Sequence, residues 1–346
     1  MSNKLIELYS DTKTRPSVEM LAAMTAAESG DEQAGEDPTT NRLCGMVAEL
    51  LGKEAAVFLP SGTMCNQIAL AVHCRPGDEI IADETAHIIN FEAGGAAGIA
   101  GAMIRSVPGE HGIFTAEQVQ TALRPAVRHM PKSRLVSVEQ TSNLGGGTVW
   151  PLETLRVVSE VARSHGLGVH MDGARLMNAV VASGVAAAEY AALTDTLWID
   201  LSKGLGCPIG GVLAGSKAFI EEAWFWKQRL GGSMRQSGVI AAAGIYALEH
   251  NVERLAKDHE NARALAETLN GIDGISAPLE TVQTNIVIVD VSATSKSAPD
   301  LSTELLNNGV RMGALDENRL RAVTHLNVSR EEVEQAGQIF ADVCSG

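Results

Sequence analysis

Three short segments place reactive side chains just beyond apolar runs. Asp172-Gly173-Ala174-Arg175 follows Gly168–Met171, Ser202-Lys203-Gly204-Leu205-Gly206 follows Thr196–Leu201, and Ser61-Gly62-Thr63 follows Ala55–Leu59 across Pro60. Alone, the acid and the lysine could form a structural ion pair, and Ser61 could simply cap a helix. Together they suit another chemistry. Pyridoxal phosphate needs an amine for a Schiff base, an acid that keeps the ring nitrogen protonated, and a cradle of donors for its phosphate. A helix starting at Gly62-Thr63 offers backbone N–H groups and the favourable end of the helix dipole to such an anion. The segment lacks the lysine and spacing of a P-loop, which makes a nucleoside triphosphate a poor fit. Neither a G-x-S-x-G elbow nor an H-E-x-x-H helix occurs in the chain, so the usual hydrolase signatures are missing.

These segments need a scaffold that brings strand ends together. Short apolar runs at Ala55–Leu59, Glu79–Ala82, Met103–Val107, Leu135–Val138, Gly168–Met171, Thr196–Leu201 and Gly211–Ala214 alternate with stretches at helical spacing. Such alternation predicts an α/β domain with a mostly parallel sheet and helices on both faces. Ligands in open sheets of this kind bind beyond the carboxyl ends of the strands. The texture changes near residue 245: Leu248, Val252, Leu255, Ala262, Leu265 and Leu269 read as one long amphipathic helix closed by Gly271. A strand at Asn285–Val291 and a final helix opened by the Ser329/Glu332 capping box follow. The expected division is a large domain over 1–245 and a smaller α+β domain over 246–346.

Longer motifs then carry a resemblance. SDTKTRP at 10–16, GEDPTTNRL at 35–43, AVFLPSGTMCNQIA at 56–69, HMDGARLMNAV at 170–180, LSKGLGCPIGG at 201–211, GSMRQSG at 232–238 and LRAVTHL at 320–326 are similar, in the same order, to those of the threonine aldolase family. The resemblance runs from Ser10 to Leu326. It implies an aminotransferase-like fold, pyridoxal 5′-phosphate as cofactor, and cleavage of β-hydroxy-α-amino acids to glycine and an aldehyde. Another pyridoxal phosphate-dependent lyase and a catalytically silent cofactor-binding protein are the alternatives. Carried over by position, Lys203 is the Schiff-base lysine and Asp172 the partner of the ring nitrogen. Gly62 and Thr63 hold the phosphate, with Ser202 beside the lysine. Ser10, Arg175 and Arg321 match residues that bind the substrate carboxylate, Arg175 also counting among those around the cofactor. Arginine suits that work because its planar fork meets a carboxylate with two hydrogen bonds and keeps its charge. His87 matches a histidine that stacks on the cofactor ring, and His129 a second one near the substrate hydroxyl. Either, or a bound water, could accept the hydroxyl proton. His325 reads as structural. The chain departs from the family pattern at Ala34, where a tyrosine is common, and at Ser142, where the common segment has histidine; both departures bear on the substrate side chain.

Composition narrows the partners. With 27 Lys and Arg against 42 Asp and Glu, the 346-residue chain carries a formal charge of −15, which disfavours nucleic acid and anionic lipid. The five cysteines are scattered without a C-x-x-C pair, arguing against a zinc module or disulfide framework and for a reducing cytoplasm. The N-terminus turns charged before an apolar leader can form, and the uncharged run near 93–104 is too short to span a bilayer. The expected partners are a small amino-acid substrate and, from the resemblance, copies of the same chain in a dimer or tetramer. No metal is expected.

Overall fold

The structure, a computed structural model, describes residues 5–345. Its strands in chain order are β1 (Ile6–Glu7), β2 (Ala55–Leu59), β3 (Asp78–Asp83), β4 (Met103–Val107), β5 (Lys132–Glu139), β6 (Gly168–Asp172), β7 (Thr196–Asp200), β8 (Gly211–Gly215), β9 (Ile286–Asp290), β10 (Val310–Arg311), β11 (Gly313–Ala314) and β12 (Arg319–Val323). Every one of the seven apolar runs of the first 250 residues is a strand of one sheet, in the order β2-β8-β7-β6-β5-β3-β4. The strands β4, β3, β5, β6 and β7 are mutually parallel, each joined to the next in the sheet in that sense. The strand β8 runs antiparallel to both β7 and β2. Its direction follows from the connection: a parallel return needs a crossover of a dozen residues or more, whereas residues 201–210 form a short loop without a helix. That loop carries Lys203.

Alternate side chains along the strands enter different layers. Phe58, Ile81, Val136, Val138, Leu197, Ile199 and Val212 pack on one face with Leu43 and Val47 of helix Pro38–Leu51 and Leu155 and Val158 of helix Leu152–Ser164. Val57, Leu59, Trp198 and Leu213 pack on the other with Cys65, Ile68 and Ala69 of helix Gly62–His73. This two-sided burial explains why the runs are continuously apolar. The last residues of β3, β5, β6 and β7 are Asp83, Glu139, Asp172 and Asp200, so the carboxyl edge of the parallel strands is a row of acids.

A second core gathers Val287 and Val289 of β9, Leu320 and Ala322 of β12, and Phe340 of the last helix. The antiparallel sheet β11-β12-β9 forms its frame. Ile6 and Leu8 belong to this core too, and β1 pairs in parallel with β10. The stretch expected as one long helix is two, Gly238–His250 and Leu255–Leu269. At the break Asn251 turns its amide to the Leu205 carbonyl, 2.7 Å away in the lysine loop. The apolar spacing continues across the break because Leu248, Val252 and Leu255 all pack on the first core, whereas Ala262, Leu265 and Leu269 pack on the second. The Ser329/Glu332 capping box is present with both reciprocal bonds. Among the described residues no helix is long and apolar enough to cross a membrane.

The turn after Asp172 leaves no room for a side chain. A Cβ at Gly173 would lie 1.9 Å from the Trp198 carbonyl oxygen, and a main-chain atom inside a sheet cannot swing aside. Gly173→Ala should therefore destabilise the fold by about 1–3 kcal/mol. Urea unfolding checks this, and an unchanged midpoint would show that the turn can relax.

Candidate active site

Beyond the acidic edge lies a cavity of about 540 Å³ whose wall includes Ser10, His87, Asp172, Arg175, Lys203 and Arg321. Six positions spread over more than 300 residues of sequence thus meet at one place. Asp172, only 3 % exposed, closes β6. Its Oδ2 accepts from Asn66 Nδ2 at 2.7 Å and its Oδ1 from the Ala174 backbone N–H at 3.0 Å. Both donors are neutral, and no ion pair to Asp172 occurs among the described residues. A buried carboxylate satisfied only by neutral donors retains a strong preference for a cationic N–H.

Lys203 follows Asp200 at the end of β7. Its Nζ lies 3.0 Å from Asp200 Oδ2 and 5.7 Å from the centre of the Trp198 ring, with 16 % of the side chain exposed. The other oxygen of Asp200 takes the Ser202 backbone N–H at 2.6 Å and the Ser202 hydroxyl at 2.9 Å. One carboxylate therefore folds the loop and aims the amine. On its far side Trp198 meets the start of helix Gly62–His73: a Cβ at Gly62 would be 2.1 Å from the indole ring. Glycine at that position lets the helix N-terminus close onto the tryptophan beside the lysine. Gly62, Thr63 and Ser202 are not in the cavity wall itself.

The two arginines converge on Asn143, and among the described residues only Arg175 is paired with a carboxylate. Arg175 binds Asp11 through Nε and Nη2, both at 2.7 Å, and both partners are buried. Burial alone would raise the Asp11 carboxyl. The Arg175 charge and hydrogen bonds, with Lys203 and Asn285 adding to them, outweigh it and hold Asp11 well below the usual range. Arg321 forms no ion pair among the described residues. Its Nη1 donates to Asn143 Oδ1 at 2.9 Å, and Arg175 Nη1 approaches the same oxygen at 3.3 Å. Burial and the neighbouring Arg175 charge lower the Arg321 pKa. Two guanidiniums against one carboxylate leave a net positive charge on this wall, suited to a substrate carboxylate. Ser10 accepts from the Thr12 backbone and hydroxyl at 3.2 and 2.9 Å, which leaves its own O–H free to donate.

His87 lines the opposite side, its Nδ1 2.9 Å from Glu92 Oε1 and its side chain 30 % exposed. Its backbone N–H donates to Glu139 Oε2 at 2.7 Å, and the other oxygen of Glu139 takes the Asn143 N–H at 2.7 Å. Burial and the nearby Asp172 charge push Glu139 up to about 7, against those two hydrogen bonds. Burial works to lower the His87 pKa, but the Glu92 hydrogen bond and the charges of Asp172, Glu92 and Glu139 outweigh it, and the net direction is upward.

His129 lies exposed on the segment before β5 and outside the cavity wall, as does Ala34 beside Gly35. Ser142 is buried, accepting from the Gly145 N–H at 3.2 Å, and its neighbour Leu144 reaches the cavity. His325 Nε2 donates to the Glu7 carbonyl, 3.0 Å away, and its Nδ1 accepts from the Asn327 N–H at 3.3 Å.

A family model described as Beta-eliminating lyase matches residues 7–293. The low specificity L-threonine aldolase of Escherichia coli (strain K12) is 43 % identical over 332 residues, covering 96 % of this chain and 97 % of its own. The chain belongs to the threonine aldolase family. A low-specificity L-threonine aldolase of Arabidopsis thaliana is 39 % identical over 345 residues, 98 % of this chain and 96 % of its own. The solved structure of a threonine aldolase of Leishmania major shares the fold, with a TM-score of 0.84 at 21 % identity over 98 % of this chain and 99 % of that one. Four of the seven motifs, at 10–16, 170–180, 201–211 and 320–326, contribute to the cavity wall, and those at 35–43, 56–69 and 232–238 do not. The sequence reading overlooked Asp11, Asn66, Glu92, Glu139 and Asn143. Asp11 and Asn66 stand inside quoted motifs, each next to or near a residue that drew attention first; Glu92 stands in a loop with no periodic signal.

Replacing the carboxylate of Asp11 strands a buried guanidinium. Asp11→Asn should cost about 3–5 kcal/mol at neutral pH. Because the folded-state pKa of Asp11 lies below its ordinary value of 3.8, this contribution is complete above that pH and is lost progressively as the pH falls below it. Urea titrations of wild type and variant at neutral and acid pH should show the gap narrowing in acid; a gap independent of pH would contradict the ion pair's role.

Proposed function

We propose that this protein is a pyridoxal phosphate-dependent aldolase that cleaves L-threonine, L-allo-threonine and related β-hydroxy-α-amino acids into glycine and an aldehyde. One observation carries the reading: a lysine amine, a buried carboxylate with no ion pair among the described residues, and two arginines of which only one is paired with a carboxylate face one cavity, in a chain so similar to a low specificity L-threonine aldolase.

The residues present fit the cofactor. Asp172 would hold the ring nitrogen, because its remaining need is for a cationic N–H. Lys203 would hold the aldehyde carbon, and the backbone N–H groups at Gly62 and Thr63 would hold the phosphate beside Trp198, with Ser202 close to the lysine. When bound, pyridoxal phosphate supplies an electron sink for the pair released when the Cα–Cβ bond breaks. The protein must do the rest. Arg321 and the free edge of Arg175, with the Ser10 hydroxyl, bind the substrate carboxylate and so set which bond of Cα is presented for cleavage. The Asp172 carboxylate would keep a proton on the ring nitrogen. His87 accepts the β-hydroxyl proton at Nε2, the nitrogen that Glu92 leaves free. His129 stands outside this chain's cavity, which favours His87 as the base.

A second copy of the chain is the expected partner, as the family resemblance implies; light scattering would show a multiple of the chain mass. The five free cysteines suit a reducing cytoplasm.

The test is acetaldehyde release from the cofactor-loaded protein given L-threonine and L-allo-threonine separately. Aldehyde and glycine in equal amounts are expected, and the ratio of rates gives the isomer preference. Release of ammonia and a 2-oxo acid instead would mark the protein as a β-eliminating lyase. Lys203→Ala should abolish turnover and the visible band of covalently held cofactor; turnover near the normal rate would overturn the assignment.

A further inference from the structure

Beneath the cavity a chain of hydrogen bonds has only one possible direction. The indole N–H of Trp198 can only donate, and it lies 2.7 Å from Asn66 Oδ1. That oxygen is therefore the acceptor end of the Asn66 amide, so His170 Nε2, 3.1 Å from it, carries a proton. His170 Nδ1 then accepts from Thr196 Oγ1 at 2.9 Å, and Thr196 Oγ1 accepts from His73 Nε2 at 2.8 Å. Burial lowers His170 to about 3 and His73 to about 4, so each is neutral with the single N–H that this order requires. The amide nitrogen of Asn66 is left with two hydrogens, and two carboxylates receive them: Asp172 Oδ2 and Glu92 Oε1, both at 2.7 Å.

Glu92 is 3 % exposed, and its Oε2 has no hydrogen-bond partner among the described residues. Its Oε1 faces the amide hydrogen on one side and His87 Nδ1 on the other. The groups facing the His87 ring and backbone are Glu92 from its own loop, Asp172 from β6 and Glu139 from β5. Of these only Glu92 touches the ring.

We propose that Glu92, anchored by Asn66, is a positioning residue that holds the His87 proton on Nδ1, leaves Nε2 as the base, and stabilises the imidazolium formed when the substrate hydroxyl gives up its proton. The proposal rests on the aldolase reading for its substrate, but the pairing itself does not. It uses the same logic as the orienting carboxylate of a hydrolytic triad: the acid fixes the tautomer and balances the charge without taking the proton. Asn66 adds a constraint, because the amide that orients Glu92 also satisfies Asp172. The residue that tunes the base and the residue that holds the ring nitrogen thus share one donor. A shift of Asn66 would disturb both.

The test is Glu92→Gln, which keeps an acceptor oxygen for Asn66 and His87 but removes the charge. NMR titration of the imidazole signals, read on protein without cofactor, should show His87 losing about tenfold in proton affinity, with Glu92→Asp recovering part of the loss. With cofactor bound, kcat for aldehyde release should fall about tenfold or more, the acid limb of the pH profile should move with the His87 titration, and KM for threonine should stay within about twofold. An unchanged His87 titration overturns the proposal. So does a displaced titration accompanied by an unchanged kcat and pH profile. Absence of aldehyde release from wild type would count against the aldolase reading instead, and the cofactor-free titration would still decide the pairing.

Discussion

The burial of the Asp172 carboxylate governs the architecture of the site. An ionised carboxylate under a sheet edge is costly unless its oxygens are met by donors and its charge by a cation. The protein supplies the donors, Asn66 and the Ala174 N–H, and no ion-pair partner among the described residues. Everything next to it maintains that arrangement. Gly173 lets the chain turn across the Trp198 carbonyl, Trp198 fixes the Asn66 amide, and Asn66 in turn fixes both Asp172 and Glu92. A cationic ring nitrogen held at Asp172, as proposed for pyridoxal phosphate, would complete the electrostatics that the polypeptide leaves unbalanced. The same logic operates across the cavity with opposite sign, where Arg175 is paired with Asp11 and Arg321 has no carboxylate partner among the described residues, leaving room for the carboxylate of the proposed substrate.

The second wall joins the two cores. Asp11 takes Arg175, which stands after β6, and the Asn285 amide at 3.2 Å, which stands just before β9. Asn143, held by Glu139, receives Arg175 from one core and Arg321 of β12 from the other. Movement of the smaller sheet against the larger would therefore change the spacing of the two guanidiniums. In the proposed reaction, substrate orientation would thus depend on the packing between the cores as much as on the residues that would touch the carboxylate.

Much of this was legible in the sequence because strand ends in an open sheet are where apolar runs stop and chemistry begins. That rule marks Asp172, Lys203 and the Gly62 turn, and the long motifs imply roles for them and for Ser10, Arg175, Arg321 and His87; all of these except Gly62 line the one cavity. What could not be read depends on distant contacts. Asp11 lies 164 residues from Arg175, and nothing local marks it as a partner. Asn66 looks like any polar residue on a helix until Trp198 and Asp172 are brought beside it. The break at 251–254 was hidden because the apolar spacing serves the same core on both sides. The reversed direction of β8 was hidden in a different way, since its run of residues is as apolar as a parallel strand's and only the short lysine loop sets its direction.

The most direct test of this account is the turnover number of Asp172→Ala at saturating pyridoxal phosphate and L-threonine. The account predicts that the variant still binds the cofactor through Lys203, while aldehyde release falls about 10²-fold or more because the ring nitrogen loses the charge that keeps it protonated. Turnover within about threefold of wild type, with cofactor bound, would contradict it.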